Sequence, residues 1–135
     1  MLIYLDSVVL IYALDHIGSF ETRANNRLSE IAALGDQVAV SDLSRLECRV
    51  KPIQVGDVRK LEVFDSFFAR SDVLLIPLPS SVYDRASATV IRAKHGFKTA
   101  DALHLAAAIE GGCQAFLTND FRLSRFPDLT VEVLT

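Results

Sequence analysis

Four carboxylate residues stand where apolar, strand-like runs end or where the helical patterns beside them begin: Asp6, Glu47, Asp101 and Asp120. Asp6 follows residues 2–5 directly, and two residues separate Asp120 from the run 115–117. Carboxylates gathered in one pocket raise one another's pKa unless a cation neutralises them. Because Mg²⁺ and Mn²⁺ prefer carboxylate and water oxygens, the four residues together predict a site for a divalent metal ion.

A divalent ion held by carboxylates suits phosphodiester hydrolysis, because it polarises the phosphoryl group and activates a water without a protein nucleophile. The histidines and cysteines show no zinc-ligand spacing: His16, His95, His104, Cys48 and Cys113. The glycine-rich patterns of dinucleotide-binding and P-loop proteins and the serine elbow of α/β-hydrolases are missing from the sequence. Metal-assisted hydrolysis is therefore the chemistry that the residue types favour.

Each carboxylate also has a purely structural interpretation. The alternatives are a helix N-cap for Asp6, a capping box with Ser44 for Glu47, dipole complementation for Asp101, and the N-cap of a short helix over 121–125 for Asp120. Singly, each alternative is as good as the catalytic one. Only the four residues taken together favour a shared site.

The elements that must position these residues alternate along the chain. Short apolar runs predict four strands buried on both faces and a weaker edge strand: residues 2–5, 38–40, 73–76, 115–117 and 130–134. Helical patterns lie between them: residues 8–14, 20–34, 42–50, 57–69, 82–95 and 99–110. This alternation predicts an α/β domain with a mostly parallel sheet of four to five strands and helices on both faces. In such sheets ligands bind at the carboxyl ends of the strands, where the four carboxylates are expected.

Two helical segments carry further expectations. The alanine-rich pattern over 99–110 is apolar almost all round, which predicts a central helix, with Thr99 as its N-cap and Gly111 as its stop. The cluster Phe64, Phe67 and Phe68 has helical spacing, so these rings are expected in the core rather than as a base-stacking platform.

Length and composition limit the class of protein. The chain has 135 residues, 50% of them hydrophobic, and a formal net charge of -3, which predicts one compact domain over 1–135 and excludes a disordered protein. The acidity excludes nucleic-acid binding by bulk positive charge, although not a nucleic-acid enzyme. The longest apolar stretch, 8–14, is too short for a membrane span, and no signal peptide is indicated, so a soluble cytoplasmic protein is expected. A receiver-like phosphoacceptor domain is disfavoured, because the run 73–76 ends at Pro77 with no acid beside it.

Four segments of the sequence resemble the four motifs of PIN domains: residues 4–12, 41–47, 98–106 and 117–120. Their order, their spacing and the total length are most similar to VapC-type toxins of bacterial toxin–antitoxin pairs, and the resemblance runs from Leu2 to about Val133. The resemblance implies an endoribonuclease that depends on Mg²⁺ or Mn²⁺. It also implies a cognate antitoxin and a homodimer.

The resemblance assigns roles by position. Asp6, Glu47 and Asp101 match the three core acidic residues, and Asp120 matches the fourth. Thr118 and Ser7 match hydroxyl residues that support the acids or position water.

The sequence departs from the family pattern at Val8. Many members carry Asn or Ser at this position, and valine cannot hydrogen-bond a carboxylate. Val8 and the net negative charge favour the alternative of a non-catalytic binding module with the same fold.

The remaining candidates lie around the acids. His104 is three residues after Asp101 on the same helical face, where it would position water or relay a proton; the alternative is a buried histidine with a structural role. Lys98, Arg45 and Arg92 are candidates for binding RNA phosphates, against the alternative of solvated helix faces.

Overall fold

The computed structural model describes residues 1–15, 18–88 and 94–134, and within them the chain forms one parallel sheet covered by helices. Its strands are β1 (Leu2–Leu5), β2 (Gln37–Ser41), β3 (Val73–Ile76), β4 (Ala115–Thr118) and β5 (Thr130–Val133). The strand order is β3-β2-β1-β4-β5, and every neighbouring pair is parallel. The predicted α/β class, the five strands and the edge position of the last strand are confirmed.

The helices are α1 (Ser7–Asp15), α2 (Glu21–Ala33), α3 (Asp42–Val55), α4 (Val58–Phe68), α5 (Ser80–Ser87) and α6 (Thr99–Glu110), followed by a 3-10 helix at Phe121–Arg125. They bury two separate apolar cores, one on each face of the sheet. Successive residues of β1 divide between them, since Ile3 and Leu5 enter one core and Tyr4 the other. Within the described residues, no helix is long and apolar enough to cross a membrane.

The predicted interior is largely confirmed. Phe64, Phe67 and Phe68 of α4 are buried in one core. The α6 helix buries most of its length beneath the sheet and ends at Gly111, as the apolar pattern predicted.

The prediction of one helix over 82–95 is wrong. The α5 helix begins earlier, at Ser80, and ends at Ser87, because Ala88 is extended (φ -63°, ψ 158°). Residues 89–93 of that prediction lie outside the described part of the chain.

Three details at helix ends also differ from the prediction. Thr99 is the first residue of α6, and Lys98, whose backbone is extended, takes the N-cap position. The α3 helix continues to Val55 through Pro52, five residues beyond the predicted end. The N-cap of α3 is Ser41, and Ser44, three residues later, accepts a hydrogen bond through its Oγ from the Ser41 amide at 3.1 Å. The predicted capping box of Ser44 with Glu47 is therefore wrong, and Glu47 is left for another role.

The topology gathers the carboxyl ends of the three central strands at one edge of the sheet. Strand β1 lies between β2 and β4, with Tyr4 opposite Ala39 and Leu5 opposite Leu117. The backbone amide of Asp6 donates to the Leu117 carbonyl at 2.9 Å, which extends this pairing by one residue. Residues that follow β1, β2 and β4 consequently meet at this edge.

Candidate active site

One open cavity of about 510 Å³ at the carboxyl edge of the sheet is lined by all four predicted carboxylates. They reach it from different elements: Asp6 follows β1, Glu47 lies on α3, Asp101 lies in the first turn of α6, and Asp120 follows β4. The rest of the lining comprises Ser7, Val8, Ile11, Leu46, Val50 and Asn119. The structure therefore brings together carboxylates that are as far as 114 positions apart in the sequence.

Asp6 is the most enclosed of the four carboxylates, with 14% of its side chain exposed. Thr118 Oγ1 donates to Asp6 Oδ2 at 2.7 Å, and the other oxygen, Oδ1, lies 4.0 Å from His104 Nε2. Burial raises the pKa of Asp6, and the negative charges of Asp101 and Glu47 raise it further, against the opposing effects of His104 and Thr118. The site thus holds a buried carboxylate whose ionised form calls for additional positive charge.

Glu47 is held through a single oxygen. Its Oε1 accepts a hydrogen bond from Ser7 Oγ at 2.8 Å and lies 2.5 Å from His104 Nε2. Burial opposes ionisation of Glu47, but the hydrogen bonds from His104 and Ser7 and the charge of His104 together lower its pKa. Ser7 and His104 therefore contact Glu47, and Thr118 contacts Asp6, while the predicted roles of these residues in supporting the acids, positioning water or relaying a proton stay predictions.

Asp101 and Asp120 share a cation that sequence reasoning did not single out. The Arg122 guanidinium lies 2.6 Å from Asp120 Oδ2 and 3.4 Å from Asp101 Oδ2. Its hydrogen bonds lower the pKa of Asp120, whereas burial and the charge of Asp120 raise the pKa of Asp101. The only sequence signal for this contact is that Arg122 lies two residues after Asp120, in the 3-10 helix that Asp120 caps.

The structure supports the purely structural interpretations of Asp120 and Asp101, and both residues also line the cavity. Asp120 does cap the 3-10 helix, by accepting from the Arg122 amide at 3.0 Å, and it also lines the cavity. Asp101 lies in the first turn of α6, where its charge complements the helix dipole.

The predicted RNA-binding residues differ in their relation to the cavity. Lys98 is exposed at the start of α6, and its charge contributes to lowering the pKa of Asp120, so it lies close to the site. Arg45 lies on α3 outside the acidic cavity, 3.8 Å from Asp42. Arg92 lies outside the described residues.

The carboxylates have the donor chemistry of a Mg²⁺ or Mn²⁺ site, but they are not arranged around one point. Among residues 1–15, 18–88 and 94–134, no three His, Cys, Asp or Glu side chains are placed to hold a metal ion together. In this arrangement Glu47 contacts His104, and Asp101 and Asp120 contact Arg122. Val8 lines the same cavity and brings no polar atom to it.

Comparisons with known proteins give a single family. The family model described as PIN domain matches residues 3–129. No curated protein matches the sequence significantly.

The chain is also similar to solved structures. VapBC2 from Rickettsia felis bound to a DNA fragment from its promoter aligns over 100% of both chains, with a TM-score of 0.77 and 18% identity. DNA-bound VapBC from Salmonella typhimurium also aligns over 100% of both chains, with a TM-score of 0.76 and 16% identity. VapC20 from Mycobacterium tuberculosis, described as a Sarcin-Ricin loop cleaving toxin, aligns over 95% of this chain and 98% of that chain, with a TM-score of 0.71 and 14% identity. At these identities the likeness is one of fold.

Proposed function

Because this chain belongs to the PIN domain family, we propose that it is a nuclease, and more narrowly an endoribonuclease that depends on Mg²⁺ or Mn²⁺. The observation that carries the proposal is the convergence of Asp6, Glu47, Asp101 and Asp120 on one cavity at the carboxyl edge of the sheet. The structural neighbours described as VapBC complexes and as a Sarcin-Ricin loop cleaving toxin support the same class of activity.

The four carboxylates are the residues that would hold the ion. A divalent cation held by them would supply a polarised phosphoryl group and an activated water, which is the chemistry of phosphodiester hydrolysis. Thr118 holds one oxygen of Asp6, and Ser7 and His104 hold one oxygen of Glu47, so each acid keeps its second oxygen for the cavity. Asp6 is largely shielded from water, and this shielding strengthens the attraction between its carboxylate and a cation.

The remaining residues and partners follow from the same proposal. Lys98, and more distantly Arg45, would attract the phosphates of a single-stranded RNA to the rim of the cavity. We further propose that the chain is the toxin of a toxin–antitoxin pair, that an antitoxin protein blocks the cavity, and that the toxin forms a homodimer in the cytoplasm.

The decisive experiment replaces acids by their amides. We expect Asp6→Asn and Asp101→Asn to reduce Mg²⁺-dependent RNA cleavage by about 10³-fold, which corresponds to about 4 kcal/mol of transition-state stabilisation. Asn at position 6 can still accept the hydrogen bond from Thr118, so the fold is retained. Asp72→Asn is the matched control, because Asp72 is exposed and paired with Arg70 away from the cavity.

One result would contradict the expected loss of cleavage. Full metal-dependent cleavage by both variants would reject the assignment of the acids. Sedimentation of the purified chain would test the homodimer, and growth arrest on expression, relieved by Asp6→Asn, would test the toxin role.

A non-catalytic PIN module is the second candidate, and it is favoured because, within the described residues, no three His, Cys, Asp or Glu side chains are placed to hold one ion together. The two functions differ in metal affinity. Mn²⁺ binding in the micromolar-to-millimolar range, measured by electron paramagnetic resonance, supports the nuclease. A protein that binds no Mn²⁺ and cleaves no RNA at any protein concentration would be the module.

A further inference from the structure

A chain of buried polar side chains connects the second core to the acidic cavity. It begins at Tyr4 on β1, which is 0% exposed and stacks on Phe116 with ring centroids 5.2 Å apart. The Tyr4 hydroxyl donates to Ser41 Oγ at 2.8 Å and lies 2.7 Å from His104 Nδ1. One phenol thus joins β1 to the start of α3 and to the interior face of α6.

His104 continues the chain from the core to the cavity. It is 2% exposed, and its Nε2 lies 2.5 Å from Glu47 Oε1 and 3.3 Å from Ser7 Oγ. The imidazole is therefore contacted on both nitrogens, with Tyr4 on one side and Glu47 on the other. Among the described residues, no hydrogen bond reaches Glu47 Oε2, the oxygen that remains for the cavity.

We propose that Tyr4 and His104 are positioning residues for Glu47: the Tyr4 hydroxyl fixes the His104 ring, and His104 Nε2 fixes one carboxylate oxygen so that the other faces the metal ion. The inference rests on the proposed function, because it assigns these two residues a task in that metal site. It extends the sequence prediction for His104 from the histidine to its buried partner on β1.

The surroundings of the hydrogen-bonded side chains that run from Tyr4 to Glu47 argue that these residues do more than pack. Tyr4 lies among apolar residues of the second core, and an unpaired polar group there is costly. A phenylalanine would fill nearly the same volume without a polar group to satisfy, so the Tyr4 hydroxyl contributes to stability only through its hydrogen-bond partners. Buried polar chains of this kind commonly orient the ligands of a metal ion, and their removal costs about 10- to 100-fold in metal affinity or activity.

Two amide substitutions of His104 separate positioning from packing. Glutamine places its amide nitrogen near the position of Nε2 and so can still donate to Glu47, whereas asparagine places its amide nitrogen near Nδ1 and reaches only toward Tyr4. Both variants lose the ring, so their costs in thermal stability should be similar. We expect His104→Gln to bind Mn²⁺ within about threefold of the wild-type affinity and His104→Asn to bind it about tenfold or more weakly.

Two tyrosine substitutions test the contact between Tyr4 and His104. Tyr4→Phe keeps the ring stack on Phe116 and removes only the hydroxyl, whereas Tyr83→Phe makes the same change at a half-exposed site on α5. We expect Tyr4→Phe to weaken Mn²⁺ binding and to lower kcat for RNA cleavage with KM unchanged. Tyr83→Phe should alter none of these quantities.

A proton spectrum of the metal-free protein supplies a readout that needs no metal ion. The His104 Nε2 proton, held against a carboxylate, should resonate far downfield in the wild type and in Tyr83→Phe. Tyr4→Phe should shift this signal or broaden it by exchange. An unchanged signal and unchanged Mn²⁺ affinity in Tyr4→Phe would show that Tyr4 does not position the ring.

The possible failures are distinguishable. If the wild type binds Mn²⁺, and His104→Gln and His104→Asn bind it with the same affinity as each other, the positioning role is overturned and the proposed function stands. If the wild type itself binds no Mn²⁺ and cleaves no RNA, the proposed function is overturned, and the role built on it falls as well.

Discussion

At the scale of single residues, Arg122 is a cation at the edge of the acidic cavity, where it pairs with two of the four acids. Its guanidinium bridges Asp101 and Asp120, and its side chain is about half exposed (49%), so it can leave. A divalent ion that binds these carboxylates must compete with it. Under the proposed function, the arginine would therefore raise the metal concentration at which the site fills.

Removing this internal cation should strengthen metal binding. We expect Arg122→Ala to bind Mn²⁺ about three- to tenfold more tightly than the wild type, because the ion no longer has to displace the weak, exposed ion pairs of Arg122. Arg122→Lys should fall between the two. The measurement is a Mn²⁺ titration followed by electron paramagnetic resonance.

Arg125→Ala is the matched control for this comparison. Arg125 lies on the same 3-10 helix and donates to the His95 carbonyl at 2.9 Å, and no carboxylate contact is found for it within the described residues. Its removal should leave the Mn²⁺ affinity unchanged. Equal or weaker affinity in Arg122→Ala would rule out competition between the arginine and the ion.

The two cysteines have the properties of small buried hydrophobic residues, as their isolation in the sequence predicted. Burial raises the pKa of Cys48 to about 12 and that of Cys113 to about 11. Because the thiolate is the reactive form, neither thiol should be alkylated by iodoacetamide in the native protein at pH 8. Mass spectrometry should show two modifications only after unfolding, and rapid labelling of the native chain would contradict the assigned burial.

At the scale of secondary-structure elements, the close approach of α6 to β3 depends on Gly111. A Cβ built there would lie 2.3 Å from Ile76 Cδ1 and 2.9 Å from Ile76 Cγ1. Gly111→Ala should therefore lower the free energy of unfolding by about 1–3 kcal/mol through overpacking.

Shortening the opposing side chain should relieve that clash. Ile76→Val removes Cδ1, so it should cost less in the Gly111→Ala background than in the wild type. Urea unfolding of the wild type, the single variants and the double variant gives this coupling as a double-mutant cycle. Strictly additive effects would mean that the two residues do not meet.

The elements could be predicted wherever the signal is local. Strand positions follow from short apolar runs, and the stop of α6 follows from Gly111. The end of α5 at Ser87 could not be read in the same way, because the residues after it keep a helical pattern and only the extended backbone of Ala88 ends the helix. The continuation of α3 through Pro52 likewise reflects tertiary packing, which overrides the local preference of proline.

The candidate site, like the secondary-structure elements, could be predicted from the sequence only where the signal is local. The sequence predicted the four acids because strand ends are local features, and the resemblance to PIN domains added the hydroxyls of Ser7 and Thr118; the structure places all of them at one edge. It did not predict Tyr4 or Arg122 as part of the site. Tyr4 lies inside an apolar run and contacts His104 from 100 positions away, a relation that no local pattern contains.

At the scale of the whole molecule, the negative charge is concentrated where it costs stability. A carboxyl group whose pKa is raised on folding stabilises the protein only while it is protonated, and this contribution is lost as the pH rises through its folded-state pKa. Asp6 and Asp101 belong to this class, mainly because burial disfavours their charged forms. Glu47 has the opposite sign, since His104 and Ser7 lower its pKa and its ionised form is stabilising above the unfolded-state value.

These directions of the pKa shifts predict that amide substitutions of the acids change the Tm of the metal-free protein at pH 7 in opposite directions. Asp6→Asn and Asp101→Asn should raise Tm, whereas Glu47→Gln should lower it, by a few degrees in each case, because about 1 kcal/mol moves the Tm of a domain of this size by about 4 °C. The advantage of Asp101→Asn should shrink as the pH falls through the pKa of Asp101, where the wild-type carboxyl becomes neutral as well. Differential scanning calorimetry in a chelating buffer measures all three variants.

Adding Mn²⁺ should reverse the order of the wild type and the Asn variants. An ion that binds only the folded state raises Tm by mass action, and this gain should be large for the wild type and small where an acid is missing. A shared drop in Tm for all three amide variants, with no further effect of Mn²⁺, would mean that the acids serve the fold alone. The expected pattern would instead mean that the fold tolerates strain at this edge because a bound cation relieves it.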